Sequence, residues 1–155
     1  MARWDSMRKL GHKQWFANVM KHVAPRVDRT VIKLSGGRLR TGPGGPVPTC
    51  LLTHTGRKTG RVRETPLGYL RDGDRLVVIG SNWGQPNDPA WALNLVANPR
   101  AKVQVGRKRW DVVARVTGGE ERDRLWSQAL QMWPAYDTYV QRSGRNLKVF
   151  SLDPA

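Results

Sequence analysis

Four cationic side chains lie within seven residues of this chain, in the segment Arg57-Lys58-Thr59-Gly60-Arg61-Val62-Arg63. Like charges repel, so a compact domain that holds them on one turn needs a nearby anion to offset the repulsion. Guanidinium and ammonium groups bind phosphate and carboxylate oxygens, and a guanidinium does so bidentately. The Gly-x-x-x-x-Gly-Lys-Ser/Thr spacing of a triphosphate loop is absent. The segment therefore predicts a site for an extended polyanion, with a solvated hairpin tip as the alternative.

Other residues that could form part of a binding or catalytic site lie further along the chain. The small-residue turn Gly80–Pro86 precedes a predicted helix, whose N-terminal N–H groups suit a flat polar ring, although a plain connecting loop has the same composition. Trp91 and Asn94 are three residues apart and share a helix face, as do Tyr136 and Tyr139. Packing is the alternative role of all three aromatic side chains.

Residues for metal binding or nucleophilic catalysis do not form a recognisable pattern. His12, His22 and His54 lack metal-ligand spacing, and Cys50 lies in an apolar segment. The carboxylates fall mostly in predicted turns and on polar helix faces, so no acid/base pair stands out. We therefore expect no metal, and we expect a bound cofactor to supply the chemistry.

Length and charge limit the organisation of the chain. Its 155 residues, 39% of them hydrophobic, suffice for one core. We expect two segments, a basic amphipathic helix with a Gly/Pro-rich linker at 1–47 and a cofactor-binding domain at 48–155. The net charge of +15 attracts nucleic acid, anionic lipid or an acidic small ligand without choosing among them.

Cellular location is inferred from what the sequence lacks. A single cysteine cannot form an intrachain disulfide, there is no signal-peptide pattern, and no apolar run is long enough to span a bilayer. We expect a cytoplasmic protein. The predicted helix from Trp4 to Val23 has three possible roles: a lid over the core, a basic interfacial helix on the inner face of the plasma membrane, or a dimer contact.

The hydrophobic periodicity predicts the order of elements in the main domain. Strands are predicted at 49–55, 61–70 and 75–80 as a β-meander, and a hairpin of 102–105 with 110–116 follows. A last strand at 147–152 is expected to close the sheet. The helix 90–97 is predicted to begin with Asp88 as its N-cap, and a C-terminal helix with a Thr117–Glu120 capping box. The pattern indicates an antiparallel barrel of α+β class.

A set of motifs in fixed order carries a family resemblance. The motifs are Leu51 to Gly60 (LLTHTGRKTG), Pro66-Leu67, Asp72-Gly73-Asp74, Ser81 to Gly84 and Trp91-x-x-Asn94-Leu95-x-Ala97-Asn98-Pro99. From about Leu51 to the C-terminus, the chain resembles the deazaflavin-dependent nitroreductase family. The resemblance implies a split β-barrel of the FMN-binding/pyridoxamine-phosphate-oxidase type with flanking helices. It also implies coenzyme F420 as the cofactor.

The resemblance also implies which residues bind this cofactor, whose tail carries a phosphodiester and an oligoglutamate. The cations of the 57–63 segment suit these negative charges. The implied cofactor-binding set is Leu51, Leu52, Thr53, Arg57, Lys58, Thr59, Gly60, Arg61, Val62, Arg63, Pro66, Leu67, Ile79, Gly80, Ser81, Asn82, Ala90, Trp91, Ala92, Leu93, Asn94 and Tyr136.

The activity implied is hydride transfer from the reduced deazaflavin to a small electrophilic acceptor, such as a quinone, a nitroaromatic or an enone. Ser81, Tyr136 and Tyr139 are the candidate catalytic residues, through a hydrogen bond or a proton. Two alternatives stay open: a basic module that binds single-stranded nucleic acid, and a split barrel that uses FMN or haem. Nucleic acid is not expected, because aromatic residues are not interleaved with the loop cations. The oligomeric state is left open.

Overall fold

The computed structural model describes residues 48–155. The predicted helix Trp4–Val23 and nearly all of the Gly/Pro-rich linker lie outside them. Seven strands, three α-helices and one 3-10 turn follow one another in this part of the chain. In order they are β1 (Thr49–Thr55), β2 (Val62–Gly68), β3 (Leu70–Asp72), β4 (Arg75–Ile79), the 3-10 turn (Asn82–Gly84), α1 (Ala90–Ala97), β5 (Arg100–Val105), β6 (Lys108–Val116), α2 (Gly119–Met132), α3 (Ala135–Ser143) and β7 (Val149–Pro154).

All strands belong to one antiparallel sheet in the order β2-β1-β5-β6-β7-β4-β3. Strands β2 and β3 form its two edges, yet only Tyr69 separates them along the chain. A sheet whose two edges are consecutive in sequence has to curl until those edges approach each other, and the result is a half-barrel. Pro66, which has no N–H to donate, lies in the edge strand β2, where it leaves no second ladder incomplete.

The predicted β-meander was wrong. Strands β1 and β2 pair as expected, but β4 pairs with β3 and with β7, not with β2. The predicted strand 61–70 is interrupted at Tyr69, whose N–H donates to the Pro48 carbonyl at 3.0 Å. At this point the chain leaves one edge of the sheet and begins the other. The hairpin of β5 and β6 is confirmed, as is the closing role of β7, which lies between β4 and β6.

Side-chain alternation along β4 produces two apolar cores. Leu76 and Val78 point into the curl of the sheet, where they join Trp91 of α1 and other buried side chains. Val77 and Ile79 point the other way, beneath α2 and α3. Since β4 contributes to both cores, burial on its two faces accounts for its continuous apolar sequence.

Helix α1 occupies the predicted residues, but its predicted cap was wrong. Pro89 holds the N-cap position, and no side chain caps the helix. The Asp88 carboxylate accepts hydrogen bonds from Arg145 at 2.7 Å and from Lys148 at 2.6 Å. Two cations that lie 57 and 60 residues further along the chain therefore bind the side chain that local propensity assigns to the helix end.

The capping box predicted for α2 was also wrong. The helix begins at Gly119 after the N-cap residue Gly118, and no side-chain cap is made. The Thr117 hydroxyl donates to the Val149 carbonyl at 2.9 Å, so it ties the helix entry to β7. Of the helices in residues 48–155, none combines the length and apolar character needed to cross a bilayer.

Candidate active site

The loop between β1 and β2 carries the cationic segment and is closed by its own backbone. The Gly56 N–H donates to the Arg61 carbonyl at 2.8 Å, and the Gly60 N–H donates to the Gly56 carbonyl at 2.8 Å. The Thr59 hydroxyl oxygen accepts from the Arg61 N–H at 3.2 Å. These contacts give the loop one conformation without using the charged ends of its side chains.

Gly56 is the point of closest packing in this loop. A Cβ at this position would lie 3.0 Å from the Thr59 hydroxyl oxygen, 3.1 Å from Arg63 Nε and 3.3 Å from the Arg61 carbonyl oxygen. The glycine therefore permits the approach of the backbone to the Arg63 side chain.

Three of the loop cations differ from the ion-paired cations elsewhere in the domain. Within residues 48–155, Lys58, Arg61 and Arg63 are exposed and form no ion pair with a carboxylate. Six other cations in the same part of the chain do form one: Arg75, Lys102, Arg115, Arg124, Arg145 and Lys148. The loop thus concentrates positive charge that is available to a ligand.

A cleft of about 820 Å³ separates this loop and β2 from the first turns of α1. Its volume is within the usual range for small-molecule and cofactor sites. Its walls combine cations with the flat indole of Trp91. The lining residues are His54, Gly56, Arg57, Lys58, Thr59, Val62, Arg63, Glu64, Thr65, Ala90, Trp91 and Asn94.

A chain of hydrogen bonds connects the loop to α1 along one wall of the cleft. Asn94 Oδ1 accepts from the Arg57 backbone N–H at 3.0 Å and from Arg57 Nη1 at 3.2 Å. Asn94 Nδ2 lies 3.2 Å from His54 Nδ1, and His54 Nε2 lies 3.0 Å from the Thr65 hydroxyl oxygen. Both central residues are buried, with 4% of His54 and 3% of Asn94 exposed.

The protonation of His54 follows from these contacts. The two donors of Arg57 require the oxygen of the Asn94 amide to face them, so the amide nitrogen faces His54 and donates to Nδ1. His54 then carries its proton on Nε2 and donates to the Thr65 hydroxyl oxygen. Burial lowers the pKa of His54 below its ordinary value, and the positive charge of Arg63 lowers it further. The imidazole is therefore neutral at physiological pH.

The turn predicted to hold the ring lies after β4, next to α3. Asn82 and Trp83 have positive φ angles of 47° and 55°, a conformation that ordinary residues rarely adopt twice in succession. A Cβ on Gly84 would lie 3.2 Å from Tyr139 Cα, so the turn is pressed against the helix. The guanidinium of Arg145 donates to the Ser81 carbonyl at 2.9 Å, and this contact helps to hold the turn.

Tyr136 and Tyr139 share α3, as predicted, and are buried in the second core. The Trp133 indole N–H donates to the Tyr139 hydroxyl oxygen at 3.3 Å. Burial raises the pKa of Tyr139 to about 12 and raises that of Tyr136 as well, so both phenols are protonated at neutral pH. Neither residue lines the cleft.

The cleft gathers part of the predicted cofactor-binding set, namely Arg57, Lys58, Thr59, Val62, Arg63, Ala90, Trp91 and Asn94. The other members lie outside its lining, and their roles stay predictions; they are Leu51, Leu52, Thr53, Gly60, Arg61, Pro66, Leu67, Ile79, Gly80, Ser81, Asn82, Ala92, Leu93 and Tyr136.

Sequence reasoning left His54, Gly56, Glu64 and Thr65 out of the site, yet all four line the cleft. The period of two along β1 was the available signal, because it places His54 on the same face as the core residues Cys50 and Leu52.

Residues 26–154 match the sequence model of a family described as F420H(2)-dependent quinone reductase. The chain belongs to this family. A member from Mycobacterium tuberculosis, the F420H(2)-dependent quinone reductase Rv1261c, is 36% identical over 131 residues, which are 82% of this chain and 87% of that protein.

Two solved structures resemble the present one. The F420-H2 dependent reductase FDR-A is 36% identical, and the match covers 68% of this chain and 94% of that one with a TM-score of 0.63. A structure described as a domain-swapped dimer is 31% identical, with coverage of 83% and 96% and a TM-score of 0.66. The resemblance inferred from the motifs and the split-barrel fold are both confirmed. The alternatives of nucleic acid, FMN or haem gain no support from these F420H2-dependent relatives.

Proposed function

We propose that this protein is an F420H2-dependent reductase that transfers hydride from the reduced deazaflavin to a small electrophilic acceptor of the quinone class. Membership of the F420H2-dependent quinone reductase family supports the proposal. The single structural observation that carries it is the placement of Lys58 and Arg63 in the cleft, where residues 48–155 provide neither with an ion-pair partner.

The residues present fit the cofactor. Its tail combines a phosphodiester with several carboxylates, and Arg57, Lys58 and Arg63 present guanidinium and ammonium donors along one cleft wall. FMN has only one phosphate, so it would leave most of these cations without an anionic partner. Trp91 and Ala90 form an apolar part of the same cleft, suited to an aromatic ring. When bound, reduced coenzyme F420 supplies a hydride in a two-electron step.

The roles of the protein in this reaction are binding, orientation and proton supply. The loop cations would hold the tail and so fix where the ring lies. The turn containing Ser81 is the proposed boundary of the ring site, and its strained backbone supports a functional role. Ser81, Tyr136 and Tyr139 are the proposed sources of a hydrogen bond or proton to the acceptor. For the tyrosines, the raised pKa values keep the phenol protonated, which suits donation of a hydrogen bond rather than release of the proton.

Calorimetric titration tests the proposed cofactor. The purified full chain is titrated with coenzyme F420, FMN and a single-stranded oligonucleotide, each at low and high salt. We expect coenzyme F420 to bind most tightly, with Lys58→Ala and Arg63→Ala each weakening binding. Arg107→Ala serves as the control, because Arg107 is an exposed cation in the turn between β5 and β6, at the opposite end of the sheet from the loop. Tight binding of FMN or the oligonucleotide without uptake of coenzyme F420 would refute the proposal.

We also propose that the protein is cytoplasmic and contacts the inner face of the plasma membrane through its basic N-terminal segment. The support is the sequence of the predicted helix 4–23, which interleaves cations with aromatic and aliphatic residues. A quinone dissolved in the bilayer would then be within reach. Removing residues 1–40 should weaken binding to vesicles that contain anionic lipid, and unchanged binding would eliminate the idea.

A further inference from the structure

Asn94 is the one polar residue in the sequence of α1, and it is almost fully buried. A buried amide without partners destabilises a fold by several kcal/mol in order of magnitude, and asparagine is a poorer helix former than the alanine and leucine around it. A buried Asn94 therefore needs hydrogen-bond partners, and it finds them in Arg57 of the cationic loop and in His54.

The oxygen of the Asn94 amide holds Arg57 at two points. Oδ1 accepts from the backbone N–H at 3.0 Å and from Nη1 of the guanidinium at 3.2 Å. One contact fixes the main chain of the loop and the other restrains the end of an otherwise exposed side chain. A guanidinium has five N–H groups, so most of them stay available to a ligand in the cleft.

The amide nitrogen of Asn94 is held by His54. It donates to His54 Nδ1, and the neutral imidazole is itself held by its hydrogen bond to the Thr65 hydroxyl on β2. If the amide were flipped, its NH2 group would face the two N–H donors of Arg57, so the observed orientation is fixed. The ionisable groups that share the cleft with His54 are Arg57, Lys58, Arg63 and Glu64, and α1 contributes none.

We propose that Asn94 is a positioning residue for the anionic tail of the cofactor, acting through Arg57 with His54 and Thr65 as its support. This inference rests on the proposed function. Asn94 orders the Arg57 guanidinium before the ligand arrives, so less side-chain freedom is lost on binding. The family resemblance placed Asn94 among the residues that bind the cofactor, whereas its hydrogen bonds in this structure go to Arg57 and His54.

The test is a double-mutant cycle read by calorimetric affinity for coenzyme F420. Asn94→Leu should weaken binding about tenfold, as expected for the loss of a hydrogen bond to a charged group. In the Arg57→Ala background only the bond to the backbone N–H remains, so Asn94→Leu should weaken binding by a clearly smaller factor than in the wild-type chain.

A purely structural role predicts the opposite pattern. Asn94→Leu would then lose the same factor with or without the Arg57 side chain, and that result would overturn the inference, as would wild-type affinity in Asn94→Leu. If Asn94→Leu does not fold, Thr65→Val removes the support while keeping side-chain shape, and its smaller loss of affinity should likewise shrink in Arg57→Ala. Absence of coenzyme F420 binding to the wild-type chain is a separate result, because it refutes the proposed function itself.

Discussion

Replacing Gly56 by alanine should disrupt the cationic loop from within. The added Cβ would lie 3.0 Å from the Thr59 hydroxyl oxygen, 3.1 Å from Arg63 Nε and 3.3 Å from the Arg61 carbonyl oxygen. The two side chains can move, but Thr59 then loses its bond to the Arg61 N–H, and the carbonyl belongs to the backbone pair that closes the loop. Overpacking of this kind costs about 1–3 kcal/mol, so we expect the melting temperature to fall by roughly 5–10 °C.

Thermal unfolding followed by circular dichroism measures this effect, and Gly80→Ala provides the matched control. Gly80 is also buried, but a Cβ there would meet Ala92 and the Lys148 carbonyl at 3.6 Å, which is ordinary contact distance. Removing a glycine restricts the unfolded chain, so the control should melt at the same temperature or slightly higher. Gly56→Ala should also bind coenzyme F420 more weakly. Equal melting temperatures and equal affinity in Gly56→Ala and wild type would show that the loop packing argument is mistaken.

Three further measurements follow from the described contacts. Hydrogen bonding to Arg124 lowers the pKa of Asp72 to about 2. The ionised carboxylate therefore stabilises the fold fully at neutral pH, and this stabilisation is lost as the pH falls from about 4 through about 2. In Arg124→Ala, urea unfolding should show a smaller decrease in the free energy of unfolding over the same pH range. His54 has an ordinary pKa of 6.5 that burial lowers, so stability should decline as the pH drops below about 6.5, and an NMR titration giving a raised pKa would contradict this. Thr117→Val should lower the free energy of unfolding by about 1 kcal/mol through the lost bond to the Val149 carbonyl, whereas Thr117→Ser should not.

The sequence was informative where local pattern decides the structure. Alternation and turn residues located β1, the hairpin of β5 and β6, and the residues of α1, because each depends on neighbours close in sequence. The pairing of β4 with β7 could not be found in this way. Curling of the sheet determines that partner, and the two strands are separated by about 70 residues.

The site was predictable in charge but not in its hydrogen bonds. The density of cations in the 57–63 segment identified the loop, and the motif order identified the cofactor class. The bond between Arg57 and Asn94 joins residues 37 positions apart, and the one between Asn94 and His54 joins residues 40 apart. Asp88 shows the same limit, since distant cations replaced the local helix N–H groups as its partners.

The location of β7 has a consequence for how the chain folds during synthesis. This strand is the last of the seven to leave the ribosome, yet it lies between β6 and β4 and completes the ladders of both. Until β7 is synthesised, β4 and β6 each have an edge whose backbone N–H and C=O groups lack the β7 partners, and the sheet is incomplete. Completion of the sheet is thereby deferred until β7 has been synthesised, and a product truncated before this strand would be the species most exposed to aggregation.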